Sequence, residues 1–175
     1  RDSGTYNTTL SGDIGTPDDA SDNAYSVVVG VSLDDVSLIG LTITGGLADL
    51  YDTVPDYDDS PYTGGGVWLD DSTNVSLIDC RIESNEAESG AGIYSRDTEL
   101  TILDSIISGN LNADYGAGLF GSGTLQVFNA LFSDNHTHYG YGFGGAIEFV
   151  DGQLTLTNST IAGNSAVEGG GVSTS

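Results

Sequence analysis

The sequence contains no lysine and no methionine, and only one cysteine, three prolines and three arginines in 175 residues. Each shortage excludes something. With Cys80 alone, neither an intrachain disulfide nor a cysteine-based metal cluster can form. Three basic residues against 26 acidic ones leave a formal net charge of −23. Such a surface repels nucleic acid and anionic lipid, disfavours acidic polysaccharide, and attracts cations. No apolar run approaches the roughly 18 residues of a membrane-spanning helix, so no membrane insertion is expected in this segment. A chain that starts at Arg1 and lacks Met is expected to be a processed product or a piece of something longer. Charge this lopsided often means disorder, but 38% hydrophobic residues in regular repeats indicate an ordered acidic β protein, read as a single domain over 1–175.

What is present is an internal repeat. The segments VSLIGLTITGG (36–46), VSLIDCRIESN (75–85), LTILDSIISGN (100–110), LQVFNALFSDN (125–135) and LTLTNSTIAGN (154–164) align on one another. Each is followed by a glycine and alanine cluster ending in an apolar anchor: Val67, Ile93, Leu119, Ile147 and Val172. Apolar residues alternate within each unit, as in Val75, Leu77, Ile82 and Ile93, and no helical period occurs. Three short strands per unit, separated by turns, predict one coil of a parallel β-helix. About six coils stacked at the strand spacing of roughly 4.8 Å give a rod of about 30 Å.

Two polar columns follow from the alignment. One holds Asp79, Asp104, Asn129 and Asn158, with Gly40 at its head; the other holds Asn85, Asn110, Asn135 and Asn164, with Gly46 at its head. Asn and Asp tolerate left-handed corners and satisfy turn backbone groups, and an amide can bond its equivalent one coil away, so both columns read as structural ladders. The clustered glycines read as tight corners and not as a phosphate loop, because no helix follows them. Cys80 aligns with the small residues Ser105, Ala130 and Ser159, which indicates a size-restricted buried slot.

FSDN (132–135) followed by GGAI (144–147) resembles the FxxN and GGAI repeats of the polymorphic outer-membrane proteins. LSGDIGTPDDASDNAYSVV (10–28) and LTITGG (41–46) are similar to segments of secreted bacterial right-handed β-helix proteins in the pectate-lyase-like superfamily. The resemblance covers nearly the whole chain. It implies an all-β, right-handed, single-stranded parallel β-helix and a secreted, extracellular or cell-surface location. It does not choose among the lyases, hydrolases, epimerases, adhesins and structural proteins that share this fold.

Candidate sites lie where the repeat is interrupted. Two loops, 47–63 and 136–143, expand at the same corner of the rod. The first gathers Asp49, Asp52, Asp56, Asp58 and Asp59, carboxylates suited to Ca²⁺, although no defined calcium motif is present. Asp13, Asp18, Asp19 and Asp22 read as turn chemistry, with calcium as the alternative. His136 and His138, with Asp134 nearby, read as surface contacts before metal ligands. The residue after each apolar anchor forms a column of Trp68, Tyr94 and Phe120, broken by Glu148 and Ser173. Strand alternation points this column outward, so with Tyr139 and Tyr141 it is expected either to grip sugar rings or another protein, or to ladder on itself. Sequons occur at Asn7, Asn74, Asn135 and Asn158; the last two fall on ladder positions and are expected to be buried.

No catalytic residues are assigned. A lyase needs a basic proton acceptor, and Arg81 and Arg96 have no basic counterpart in adjacent coils. Paired carboxylates for hydrolysis are so abundant (Asp34 and Asp35, Asp58 and Asp59, Asp70 and Asp71) that they decide nothing. The polygalacturonase motif set of NTD, a DD block, GHG and RIK is missing, as is the alginate-epimerase motif. The reading is therefore a structural or adhesive surface β-helix that self-associates end to end and is stabilised by Ca²⁺. The alternatives are a polysaccharide-binding module using the aromatic column, or a polysaccharide lyase or hydrolase.

Overall fold

The structure is a computed structural model and describes residues 8–17, 19–48, 62–137 and 142–175, with the side chains of 112 and 113 also outside the description. The chain winds through β1 (Thr8–Ser11), a 3₁₀ turn (Ala20–Asp22), then β2 (Val28–Val31), β3 (Asp34–Ile39), β4 (Leu41–Thr44) and β5 (Leu47–Ala48). The next coil is β6 (Val67–Asp70), β7 (Thr73–Ile78), β8 (Arg81–Glu83) and β9 (Glu86–Ser89). It is followed by β10 (Ile93–Leu103), β11 (Ile106–Ser108) and β12 (Leu111–Tyr115), then β13 (Leu119–Phe128), β14 (Leu131–Ser133) and β15 (His136–Thr137). The described chain closes with β16 (Ile147–Thr157), β17 (Thr160–Ala162) and β18 (Val172–Thr174).

Strands pair in parallel with their equivalents in the adjacent coils. One sheet runs β1-β4-β8-β11-β14-β17, which sets six coils, and a four-stranded sheet runs β15-β12-β9-β5. The largest sheet runs β18-β16-β13-β10-β6-β2, with β3 and β7 alongside. Here the structure departs from three short strands per unit. β10, β13 and β16 each run 10 or 11 residues and bend once, with register shifts between Ser95 and Thr98 and between Gly121 and Gly123. Left-handed residues sit at this bend, Asp97 (φ 47°), Gly123 (φ 95°) and Asp151 (φ 50°), with Asp71 (φ 46°) at the break between β6 and β7. Hydroxyls supply acceptors that the interrupted ladder lacks there. Ser72 Oγ accepts from Leu33 N at 3.0 Å, and Ser122 Oγ accepts from Asp97 N at 2.9 Å.

The core runs along the axis. Val75, Leu77 and Ile82 in one coil, Leu100, Ile102 and Ile107 in the next, and Leu125, Val127 and Phe132 in the third occupy equivalent buried places. Alternation within a strand put each of these side chains inside and its neighbours outside.

The buried amide ladder is the polar part of this core. Asn110 Oδ1 accepts from Asn85 N and Asn85 Nδ2, both at 3.1 Å, while Asn110 Nδ2 donates to Ile82 O at 3.0 Å and to Asn135 Oδ1 at 2.9 Å. Both protons and both lone-pair directions of the amide are thereby used. The pattern repeats from Asn135 to Asn164 and begins where Gly46 N donates to Asn85 Oδ1 at 3.0 Å. Glycine makes room for it. A Cβ on Gly66 would lie 2.8 Å from Asn85 Nδ2 and 2.5 Å from Gly92 O. The left-handed corner residue is not the ladder Asn but the one before it: Ser84 (φ 56°), Gly109 (φ 62°) or Asp134 (φ 54°).

The other column differs in kind. Asp79, Asp104, Asn129 and Asn158 are themselves left-handed, at φ 51° to 53°, and all four are exposed. Asn158 therefore corrects the expectation of a buried sequon, because its column turns outward; Asn135 is fully buried as expected.

Replacing Asn110 by Ala strands the backbone N–H of Asn85 and the carbonyl of Ile82 in a dry interior. The expected loss is about 3 kcal/mol in urea unfolding, against about 1 kcal/mol or less for Asn129→Gly, which gives up only a solvent-exposed bond from Nδ2 to Asp104 Oδ1 at a corner that Gly already fills at position 40.

Candidate functional site

The aromatic column lies on the outer side of β6, β10, β13 and β16. Trp68 pairs in register with Tyr94, Tyr94 with Phe120, Phe120 with Glu148, and Glu148 with Ser173. The coil repeat forces the rings into a stack: Trp68 and Tyr94 have centroids 6.3 Å apart and planes at 4°, and Tyr94 and Phe120 are 5.4 Å apart at 13°. A second column runs beside it through the isolated bridges Thr63 to Ser89, Tyr115 to Phe143 and Phe143 to Glu168. Trp68 Nε1 donates to Thr63 Oγ1 at 3.0 Å, and Tyr115 meets Phe120 edge-on at 6.3 Å and stacks on Phe143 at 5.9 Å.

This corrects the expectation of an exposed aromatic surface at two positions. Trp68 is 5% exposed and Tyr94 6%; Tyr94 is stacked between Trp68 and Phe120, and Trp68 is stacked on Tyr94 and bonded to Thr63 of the neighbouring column. Phe120 is half-buried. Exposure on this corner belongs instead to Tyr115, at 38%. Tyr139 and Tyr141 lie outside the described residues, as do His138 and the acidic set Asp49, Asp52, Asp56, Asp58 and Asp59.

Glu148 ends the stack. It is 6% exposed, and its Oε2 is buried with no hydrogen-bond partner. Burial pushes its carboxyl above the ordinary glutamate value of 4.5. The corner beneath it is closed tightly, since a Cβ on Gly144 (φ 61°) would sit 2.7 Å from Glu148 Cβ. Sequence reasoning treated Glu148 as a gap in an aromatic column and did not single out Tyr115 or Phe143. The signal was there: the residue before each corner glycine and the residue five positions on face each other, as in Thr63 and Trp68 or Tyr115 and Phe120.

The other described candidates take structural roles, and Asp18 lies outside the described residues. Asp19 caps the 3₁₀ turn by accepting from Ser21 N at 3.0 Å, and Asp22 Oδ2 accepts from Thr16 N at 2.7 Å. His136 Nδ1 lies 2.8 Å from Ser165 Oγ in the next coil. Among the described residues, no three His, Cys, Asp or Glu side chains are grouped to hold a metal ion. Cys80 is buried, its thiol pushed up by desolvation, in contact with the carbonyls of Leu38 and Ile78 at 3.4 Å. Arg96 grips Asp70 of the preceding coil at 2.7 and 2.9 Å and holds that carboxyl below the usual range, while Arg81 pairs with Glu83 at 2.7 Å.

A carboxyl raised on folding favours the native state while protonated, so its stabilising contribution is complete below about its ordinary value and is lost as pH rises through its folded value. The titratable residues of the flanking column on either side of Phe143 are Tyr115 and Glu168, and both are exposed. Glu148→Gln is expected to raise the thermal midpoint at pH 7.5 and to leave it unchanged below pH 4.5, as read by circular-dichroism melts across pH.

The family described as "Right handed beta helix region" matches residues 21–152 and 65–175. The chain is 27% identical over 160 residues to "Probable autotransporter YfaL" of Escherichia coli (strain K12), a match that covers 81% of this chain and 13% of that protein. No solved structure matches significantly. With parallel coils, in-register ladders and a family match that spans most of its length, the chain belongs to the right-handed β-helix region family.

Proposed function

We propose that this chain is a rod segment of a secreted or outer-membrane surface protein, with a structural or adhesive role and no catalytic one. The observation that carries the reading is that the interior asparagines and the rings of Trp68 and Tyr94 are used by the architecture. The interior amides bond coil to coil, and Trp68 and Tyr94 stack on one another. The candidate bases Arg81 and Arg96 are engaged by carboxylates, which weighs against proton abstraction by either. The surface location draws on the autotransporter relative, of which this chain spans 13% of the length. The burial of Trp68 and Tyr94 favours this reading over a glycan-binding module built on that column.

Self-association and calcium complete the proposal. β17 and β18 lie at sheet edges, and Leu156 (39% exposed) and Val167 (61%) lie near them. Such a face accepts a further coil, from the same polypeptide or from a second copy. Calcium would act at the carboxylates of 49–59 by lowering the repulsion within a chain of charge −23.

The test is light scattering and electron microscopy of the purified chain across concentration, with Ca²⁺ and with chelator. Elongated species that grow with concentration, shrink with chelator and disappear in Leu156→Lys are expected. A monomer under every condition rejects self-assembly, and identical behaviour with and without Ca²⁺ rejects the calcium role.

A further inference from the structure

Tyr115, Phe120, Phe143 and Glu148 form a two-by-two square on the outside of two adjacent coils. Tyr115 and Phe120 face each other in one coil, Phe143 and Glu148 take the equivalent places in the next, and the pairings Tyr115 to Phe143 and Phe120 to Glu148 are both in register. Three corners are rings, with Tyr115 in contact with both Phe120 and Phe143. The fourth is a carboxylate about as buried as the rings of Trp68 and Tyr94.

This is a costly place for a carboxylate if packing were its purpose. Three rings stack along this column above it, and a fourth would continue the stack without desolvating a charge. The faces of aromatic rings carry partial negative charge, so they worsen the setting for an anion and improve it for a cation. Among the described residues no cation meets that demand: Arg81 and Arg96 are paired with Glu83 and Asp70, the chain has no lysine, and Oε2 of Glu148 has no hydrogen-bond partner. A divalent metal is a poor fit, since it needs several oxygens and no three-carboxylate group exists among the described residues. A weakly hydrated organic cation satisfies both halves of the square, with charge against the carboxylate and C–H surface against the rings. The partly exposed flank of Tyr115 is the side from which it can approach.

We propose that Glu148, together with Tyr115, Phe120 and Phe143, binds an alkylammonium group. The chemistry is shared by a lysine-type primary amine and a methylated headgroup, and the two differ in whether N–H donors or methyl groups face the carboxylate. Binding at this square does not depend on whether the rod self-assembles.

The test is titration of the full chain with propylammonium chloride and with tetramethylammonium chloride, followed by NMR shifts of the aromatic side chains, with sodium chloride as the ionic-strength control. Saturable shifts centred on Tyr115, Phe120 and Phe143 are expected with at least one of the two cations and not with sodium. Glu148→Gln, which is near-isosteric and removes the buried charge, should fold normally and weaken binding by about tenfold or more, the loss of a charge-assisted contact. Phe143→Leu should weaken it by about three- to tenfold, the scale of one cation–π contact. Tighter propylammonium assigns the site to primary amines, and tighter tetramethylammonium assigns it to methylated headgroups. Shifts that match those of sodium chloride, or equal affinity in Glu148→Gln and the parent chain, overturn the proposal.

Discussion

Every feature of this molecule depends on coils that stack in register, residue over equivalent residue, at the spacing of parallel strands. That constraint converts a one-dimensional repeat into columns, and an interior column favours side chains that tolerate a like residue above and below. Aliphatic residues meet it by packing, rings by stacking, and asparagine by donating and accepting with the same amide. A lone carboxylate or ammonium cannot meet it in the interior. The buried polar column is accordingly Asn85, Asn110 and Asn135, while the carboxylates Asp79 and Asp104 lie at exposed corners.

The same constraint ties glycine to asparagine. The glycines at 66, 92 and 118 lie against the ladder, and a methyl group on any of them would press on an amide nitrogen and on the carbonyl of the next coil. The corner glycines at 64, 90 and 116 serve a different end, since their backbones are left-handed. One cluster in the sequence therefore contains two physical requirements. Position 146 shows they are separable: Ala stands there in the ladder-facing place, while Gly144 keeps the left-handed corner.

Much of the fold was legible because period-two alternation and a repeat of 25 to 29 residues leave few alternatives to a β solenoid. The direction of each column was less legible. Both Asn-rich columns look alike in sequence, yet one is interior and the other exposed, because the deciding residue is the left-handed one, which precedes Asn110 as Gly109 and coincides with Asn129 itself. The bend within β10, β13 and β16 was missed for a similar reason: Asp97 and Asp151 resemble loop residues, but the ladder continues past them. The aromatic corner was half-read. Outward direction follows from alternation, whereas burial depends on a second column that only the closed coil brings alongside. Glu148 acquires its meaning from that closure, since its setting is made by Phe120, Tyr115 and Phe143 from 5 to 33 residues away.

The direct test of the in-register account is hydrogen exchange of the side-chain amides by NMR. If the interior ladder holds the stack together, the Nδ2 protons of Asn85, Asn110 and Asn135 exchange orders of magnitude more slowly than those of Asn129 and share one exchange rate, that of global unfolding. Rates for Asn110 as fast as those for Asn129 would contradict it.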